Sequence, residues 1–230
     1  MEKMINDPEL GTITIRRGSR YRQYSLKVSE GKILATMPEW GDEKRMFAFI
    51  NESRKRLLDL LIKHPQRSLL DENTELQTAS FRLIILREER KKIGITLANE
   101  VLTIRFPAHI DISKDTIQTQ LQEILKNVYR REAKRLLPGR IERLAQQYGF
   151  TYSTVKINSS RTRWGSCNRQ KGINLSLYLM RLPWHLIDYV LLHELCHTKE
   201  MNHSARFWAL MDGVTENRAK LLRKELKGYH

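Results

Sequence analysis

The chain is 230 residues long, 40% hydrophobic and 29% charged, which gives room for one large domain or two small ones and excludes a disordered polymer. Its 41 Lys and Arg against 26 Asp and Glu leave a net charge of +15, a balance that favours polyanionic partners without specifying a fold. Two cysteines exclude a disulfide scaffold and suit a reducing compartment. With no leader-like apolar segment and no run of about 18 apolar residues, the chain reads as a cytoplasmic protein that does not enter a membrane.

Three runs at the start, Thr12 to Arg16, Tyr24 to Val28 and Lys32 to Met37, alternate apolar and polar residues and predict strands, with Gly18 and Gly31 in the breaks. Asp42 then caps a predicted helix that runs to about His64, where Pro65 stops it. The pattern recurs. Sliding the chain so that Pro38 lies on Pro107 places Leu26 on Ile95, Val28 on Leu97, Ile33 on Leu102, Met37 on Phe106 and Asp42 on Asp111 without a gap. The β-rich region 1–112 therefore reads as a duplicated β-β-β-α unit, with polar Gln66 to Thr78 as its internal linker.

A long amphipathic helix is predicted from Ser113 to about Leu136, kinked or restarted by Pro138-Gly139, with a second segment to Tyr148, where Gly149 ends it. Short strands follow near Thr154 to Asn158, Thr162 to Cys167 and Ile173 to Leu179. After Pro183 comes a helix apolar nearly all round, hence buried, and two more helices near Ser204 to Met211 and Thr215 to Lys227 close the chain. Residues 113–230 are taken as the second domain, so the fold class is α+β.

The buried helix contains His193-Glu194-Leu195-Cys196-His197. Histidines at i and i+4 lie on one helix face and can reach one tetrahedral metal, and Glu194 is placed to contact a metal-bound water. His203, six residues beyond His197, supplies a third ligand if the helix ends and the chain turns back near Met201-Asn202. The spacing equals that of the metzincins, but Glu200 stands where their glycine would be, so the turn must be built differently. Two ligands and a glutamate on one buried helix, with a third ligand just beyond its end, predict Zn2+, with one coordination position left open for chemistry. His64, His109, His185 and His230 are read as structural or surface residues. Cys196 is read as a small core residue.

Arg163-Trp164-Gly165-Ser166-Cys167, Asn174-Leu175, Ile187-Asp188-Tyr189-Val190 running into the His193 motif, Asn202-His203-Ser204 and Phe207-Trp208 together resemble the YgjP-like metallopeptidase family, which is related to the SprT-like and WLM zinc proteases. The resemblance is dense over about Lys156 to Met211. It implies a zincin-like catalytic unit with His193, His197 and His203 as metal ligands and Glu194 as the catalytic residue. The expected function is a zinc metallopeptidase-type hydrolase acting on a peptide or protein, with Arg163, Tyr178, Tyr189 and Arg206 as oxyanion candidates. The alternative is a DNA-associated protein, since residues 126–171 carry twelve basic side chains against only Glu132 and Glu142, and SprT-like relatives act on proteins at DNA.

Overall fold

The computed structural model describes residues 2–29, 31–63 and 69–229. The predicted ends of the first helix at His64 and Pro65, the start of the linker and His230 lie outside them. The chain divides into two compact units, Met1–Ser68 and Leu69–His230. Among the described residues it is a mixed α and β protein of three sheets and six α-helices.

In the first unit, β1 (Glu2–Asp7) and β2 (Gly11–Arg17) form an antiparallel hairpin, β4 (Lys32–Met37) pairs parallel with β2, and β3 (Ser25–Ser29) pairs antiparallel with β4. β1 was not anticipated, because its outward residues, Met4 among them, stay exposed and give no clear alternation. The hairpin closes where Asp7 Oδ1 accepts from the Glu9 and Leu10 amides and Gly11 takes φ 70°. Alternate residues Ile13, Ile15, Ile33, Ala35 and Met37 bury one sheet face against Met46, Ile50 and Leu57. Those three belong to α1 (Glu43–Glu52) and α2 (Arg54–Lys63), which replace the single predicted helix. The break is at Ser53, whose amide donates to Phe49 and Asn51 carbonyls.

In the second unit, β5 (Arg82–Glu88) pairs parallel with β7 (Val101–Pro107), and β6 (Gly94–Ala98) pairs antiparallel with β7 through a two-residue turn in which Asn99 and Glu100 both have positive φ. The order β5-β7-β6 and its pairings match β2-β4-β3 of the first unit: Ile13 faces Ile33 there, and Leu83 faces Leu102 here. α3 runs as one helix from Asp115 to Tyr148 with Pro138 inside it, so the chain does not restart there. Leu137, Ile141 and Leu144 on its buried side hold the helix across the proline, and Gly149 at φ 67° ends it. Asp111 bonds Ser113 instead of capping the helix.

A third sheet has the order β8-β10-β9, with β10 (Gly172–Ser176) parallel to β8 (Thr154–Asn158) and antiparallel to β9 (Gly165–Cys167). β10 stops earlier than predicted because the Ser176 hydroxyl accepts from the Tyr178 amide and starts a 3-10 turn over Leu177–Arg181. α4 (Trp184–Cys196), α5 (Ala205–Val214) and α6 (Ala219–Leu226) complete the unit. One core joins Leu83, Ile104 and Phe106 to Leu125, Ile141, Leu175, Leu191 and Phe207. The unit boundary accordingly falls at 68/69, not at the expected 112/113, because buried residues of β5 and β7 belong to the same core as those of α3. No described helix is long and apolar enough to cross a membrane.

Candidate metal centre

α4 is buried on almost every side, with Leu186, Ile187, Leu191, Leu195 and Cys196 fully inaccessible. That burial fixes the helix, and with it the outward face that carries His193 and His197. His197 sits at the C-cap, and the chain then winds down through the Lys199 and Glu200 amides, which both donate to the Cys196 carbonyl. The turn needs no left-handed residue. Neither Met201 nor Asn202 has positive φ, contrary to the expected role of Asn202, and the Ser204 amide bonds the Asn202 carbonyl at 2.7 Å instead. His203 follows directly, and Ser204 then caps α5.

The three imidazoles converge. His193 Nε2 stands 3.2 Å from His197 Nε2 and 3.1 Å from His203 Nε2. A tetrahedral ion at metal–nitrogen distances of about 2.0–2.1 Å needs ligand atoms roughly 3.3 Å apart, so the nitrogens fit one ion. Among the described residues these three histidines form the candidate metal-holding group. His197 Nδ1 lies 3.1 Å from the Glu200 carbonyl. A carbonyl only accepts, so the proton is on Nδ1 and Nε2 presents its lone pair to the centre. Burial pushes the His193 ring down to about 3, helped by its two imidazole neighbours and Arg223, and lowers His197 as well. Neutral imidazoles are what a metal requires.

Phe207 forms the floor. It is fully buried, and its ring centroid lies 4.9, 4.6 and 4.8 Å from those of His193, His197 and His203. Trp208 stacks on the exposed third imidazole, His203, at 5.9 Å, and the guanidinium of Arg223 on α6 lies 5.1 Å from the Trp208 centroid.

Glu194 is buried on the side of α4 next to β9. Its Oε2 has no hydrogen-bond partner among the described residues, and burial pushes the carboxyl up to about 8. Gly165 on β9 lies directly against it. A glycine inside a predicted strand is the signal that marks such a close approach, and it stands in the Arg163-to-Cys167 motif.

The other expected residues sort as follows in space. Tyr189 is buried, with its ring 6.2 Å from His193. Tyr178 accepts from Arg161 Nε and packs on Tyr129, and Arg163 and Arg206 are exposed. His185 bonds Glu225 at 2.7 Å between α4 and α6, and His109 lies in the turn after β7. Cys196 is inaccessible, and burial pushes its thiol up to about 12. Cys167 is half-buried, its thiol raised by burial and by the Glu194 charge.

No curated protein matches the chain. A similar solved structure is the crystal structure of the metallopeptidase zymogen of Pyrococcus abyssi abylysin, at 22% identity and a TM-score of 0.36 over 39% of this chain and 90% of that one. Residues 22–229 match the YgjP-like family, metallopeptidase domain, and at that coverage the chain belongs to the YgjP-like family of metallopeptidases.

Proposed function

We propose that the chain is a zinc-dependent peptidase with a zincin-like catalytic unit, in which His193, His197 and His203 hold the metal and Glu194 is the general base. The observation that carries this reading is the convergence of three Nε2 atoms at 3.1–3.2 Å beside a buried carboxylate. A zinc ion supplies a Lewis acid that polarises the scissile carbonyl and acidifies water. Glu194 takes the proton from the attacking water and delivers it to the leaving amine. Phe207 keeps water from beneath the ligands, and the Glu200 carbonyl holds His197 in its ligating tautomer. β9 is an edge strand, so an extended peptide can lie along it beside Glu194. The same reading takes the first unit as a copy of the β5-β6-β7 arrangement, supported by the shared strand order, and places the protein in the reducing cytoplasm, supported by two unbridged cysteines.

Elemental analysis of untagged protein purified without chelator is the first test. The expected result is near one zinc per chain, lost in a His193→Ala/His197→Ala variant. Glu194→Gln retains zinc and loses hydrolysis of unfolded casein. Metal that survives the double histidine change removes the site, and full activity of Glu194→Gln removes the mechanism.

A specific observation favours nucleic acid as an additional partner. No Asp or Glu occurs between Glu142 and Asp188, while Lys156, Arg163, Arg169 and Lys171 are exposed and in no ion pair among the described residues. On α3, by contrast, Arg131 and Arg135 pair with Glu132, and Arg140 pairs with Asp188. Binding to duplex DNA should weaken steeply with salt. Absence of affinity at physiological salt ends this reading.

A further inference from the structure

We infer that Gly165 is a positioning residue for the Glu194 carboxylate: the missing side chain on β9 is the seat that holds it, and the Arg163-to-Cys167 motif exists in part to provide that seat. The inference rests on the proposed role of Glu194 as the base.

A Cβ placed on Gly165 would lie 2.7 Å from both Cγ and Oε1 of Glu194 and 2.9 Å from Cδ. Such separations are well inside van der Waals contact, so either the carboxylate or the strand would have to move. The carboxylate has nowhere to go. Its close neighbour is Cγ, near the backbone, on a residue that is 5% exposed within a helix packed on nearly every side. Gly94 makes the contrast, since a Cβ there would meet the guanidinium end of Arg90, a group that can swing away.

The strand is held as well. β9 pairs with β10 from Leu175 opposite Gly165 to Ile173 opposite Cys167, and both partners are buried in the core. Just before β9, the Trp164 carbonyl accepts from the Ser176 amide at 2.8 Å. Just after it, the Asn168 amide donates to the Gly172 carbonyl at 3.0 Å. Backbone torsion does not explain the glycine. Gly165 is not among the residues with positive φ, so any residue could adopt its conformation, and the remaining requirement is space.

Glu194 Oε2 has no fixed partner among the described residues. Strand backbone on one side and the helix on the other confine the carboxyl, leaving its orientation to packing. A side chain at Gly165 therefore meets the base first, since the three heavy atoms nearest to its Cβ all belong to Glu194.

The test is a melting comparison of the full chain in chelator, with Gly165→Ala made in the natural sequence and in a Glu194→Ala background. The expected loss is roughly 5 °C in the first and less than half of that in the second, because the second lacks the atoms that collide. If the single variant fails to fold, folding of the double variant supports the seat. Equal losses in the two backgrounds, or failure of both to fold, overturn it. A second readout is the visible spectrum of the cobalt(II)-loaded chain. With one cobalt per chain retained, Gly165→Ala should shift the spectrum in the same sense as Glu194→Gln. A Gly165→Ala spectrum identical to the parent, when that of Glu194→Gln differs, also overturns the proposal. If Glu194→Gln leaves the spectrum unchanged, the base at the metal is lost, and the melting comparison alone then decides whether Gly165 seats the carboxylate.

Discussion

Phe207 touches all three candidate ligands and carries no polar group, so it sets where the imidazoles stand without competing for the ion. Phe207→Leu keeps the site apolar but removes the flat surface. It should weaken zinc about 10–100-fold in a chelator competition, the range typical of lost supporting contacts around a metal. Unchanged affinity would reduce Phe207 to a filler. The same residues give the metal-free chain an opposed pH dependence. His193 is lowered from 6.5 to about 3, so the unfolded chain takes up its proton first, and the stability it contributes is whole above 6.5 and fades as pH falls toward 3. Glu194 is raised from 4.5 to about 8, so its contribution is whole below 4.5 and is lost as pH rises through 8. Urea unfolding of chelator-treated protein should therefore show stability falling between pH 6.5 and 8, and Glu194→Gln should flatten that limb. A fall that persists in the variant would assign it elsewhere.

Among the elements, α3 shows how packing overrides a local breaker. Pro138 removes an amide that would have bonded the Lys134 carbonyl, and Gly139 adds backbone freedom, yet both are exposed while their neighbours Leu137 and Ile141 are buried. Nothing lies within 4 Å of a Cβ added at Gly139. Pro138→Ala should stabilise the chain by up to about 3 kcal/mol and Gly139→Ala by roughly 0.5–1 kcal/mol in urea unfolding. No gain from either would mean that this turn is strained for another reason. In the first unit, Arg54 at the start of α2 bonds both Asp7 oxygens, at 2.9 and 2.7 Å, and also Glu9. The guanidinium and the turn amides hold the Asp7 carboxyl well below its usual range. This contact ties the helix to the β1–β2 hairpin.

At the scale of the whole molecule, two separate cores underlie two units. One is built on Ile13, Ile33, Met37 and Met46, and the other spans Leu70 to Leu222. Calorimetry should accordingly resolve two unfolding transitions. Zinc at about 1,000 times its dissociation constant should add roughly 4 kcal/mol to the transition of the unit that holds the histidines and leave the other in place. A single transition shifted as a whole would show that the units unfold together.

Periodicity was enough to locate most strands and helices, because a buried face repeats every two residues in a strand and every three to four in a helix. β8 and β4 coincide with the predicted runs, and three strands of the first sheet, β2-β4-β3, share their order with β5-β7-β6. The pairing of His193 with His197 was legible because side chains four apart share one face of a helix. What the chain could not reveal locally depends on contacts between distant segments. Whether α3 crosses Pro138 is decided by the core beneath it, and the unit boundary by which sheet that helix covers. The meeting of His203 with α4 follows from the bonds of the turn. Gly165 and Phe207 acquire meaning only when β9 and α5 are brought against Glu194 and the imidazoles, since close approach is a property of the folded chain.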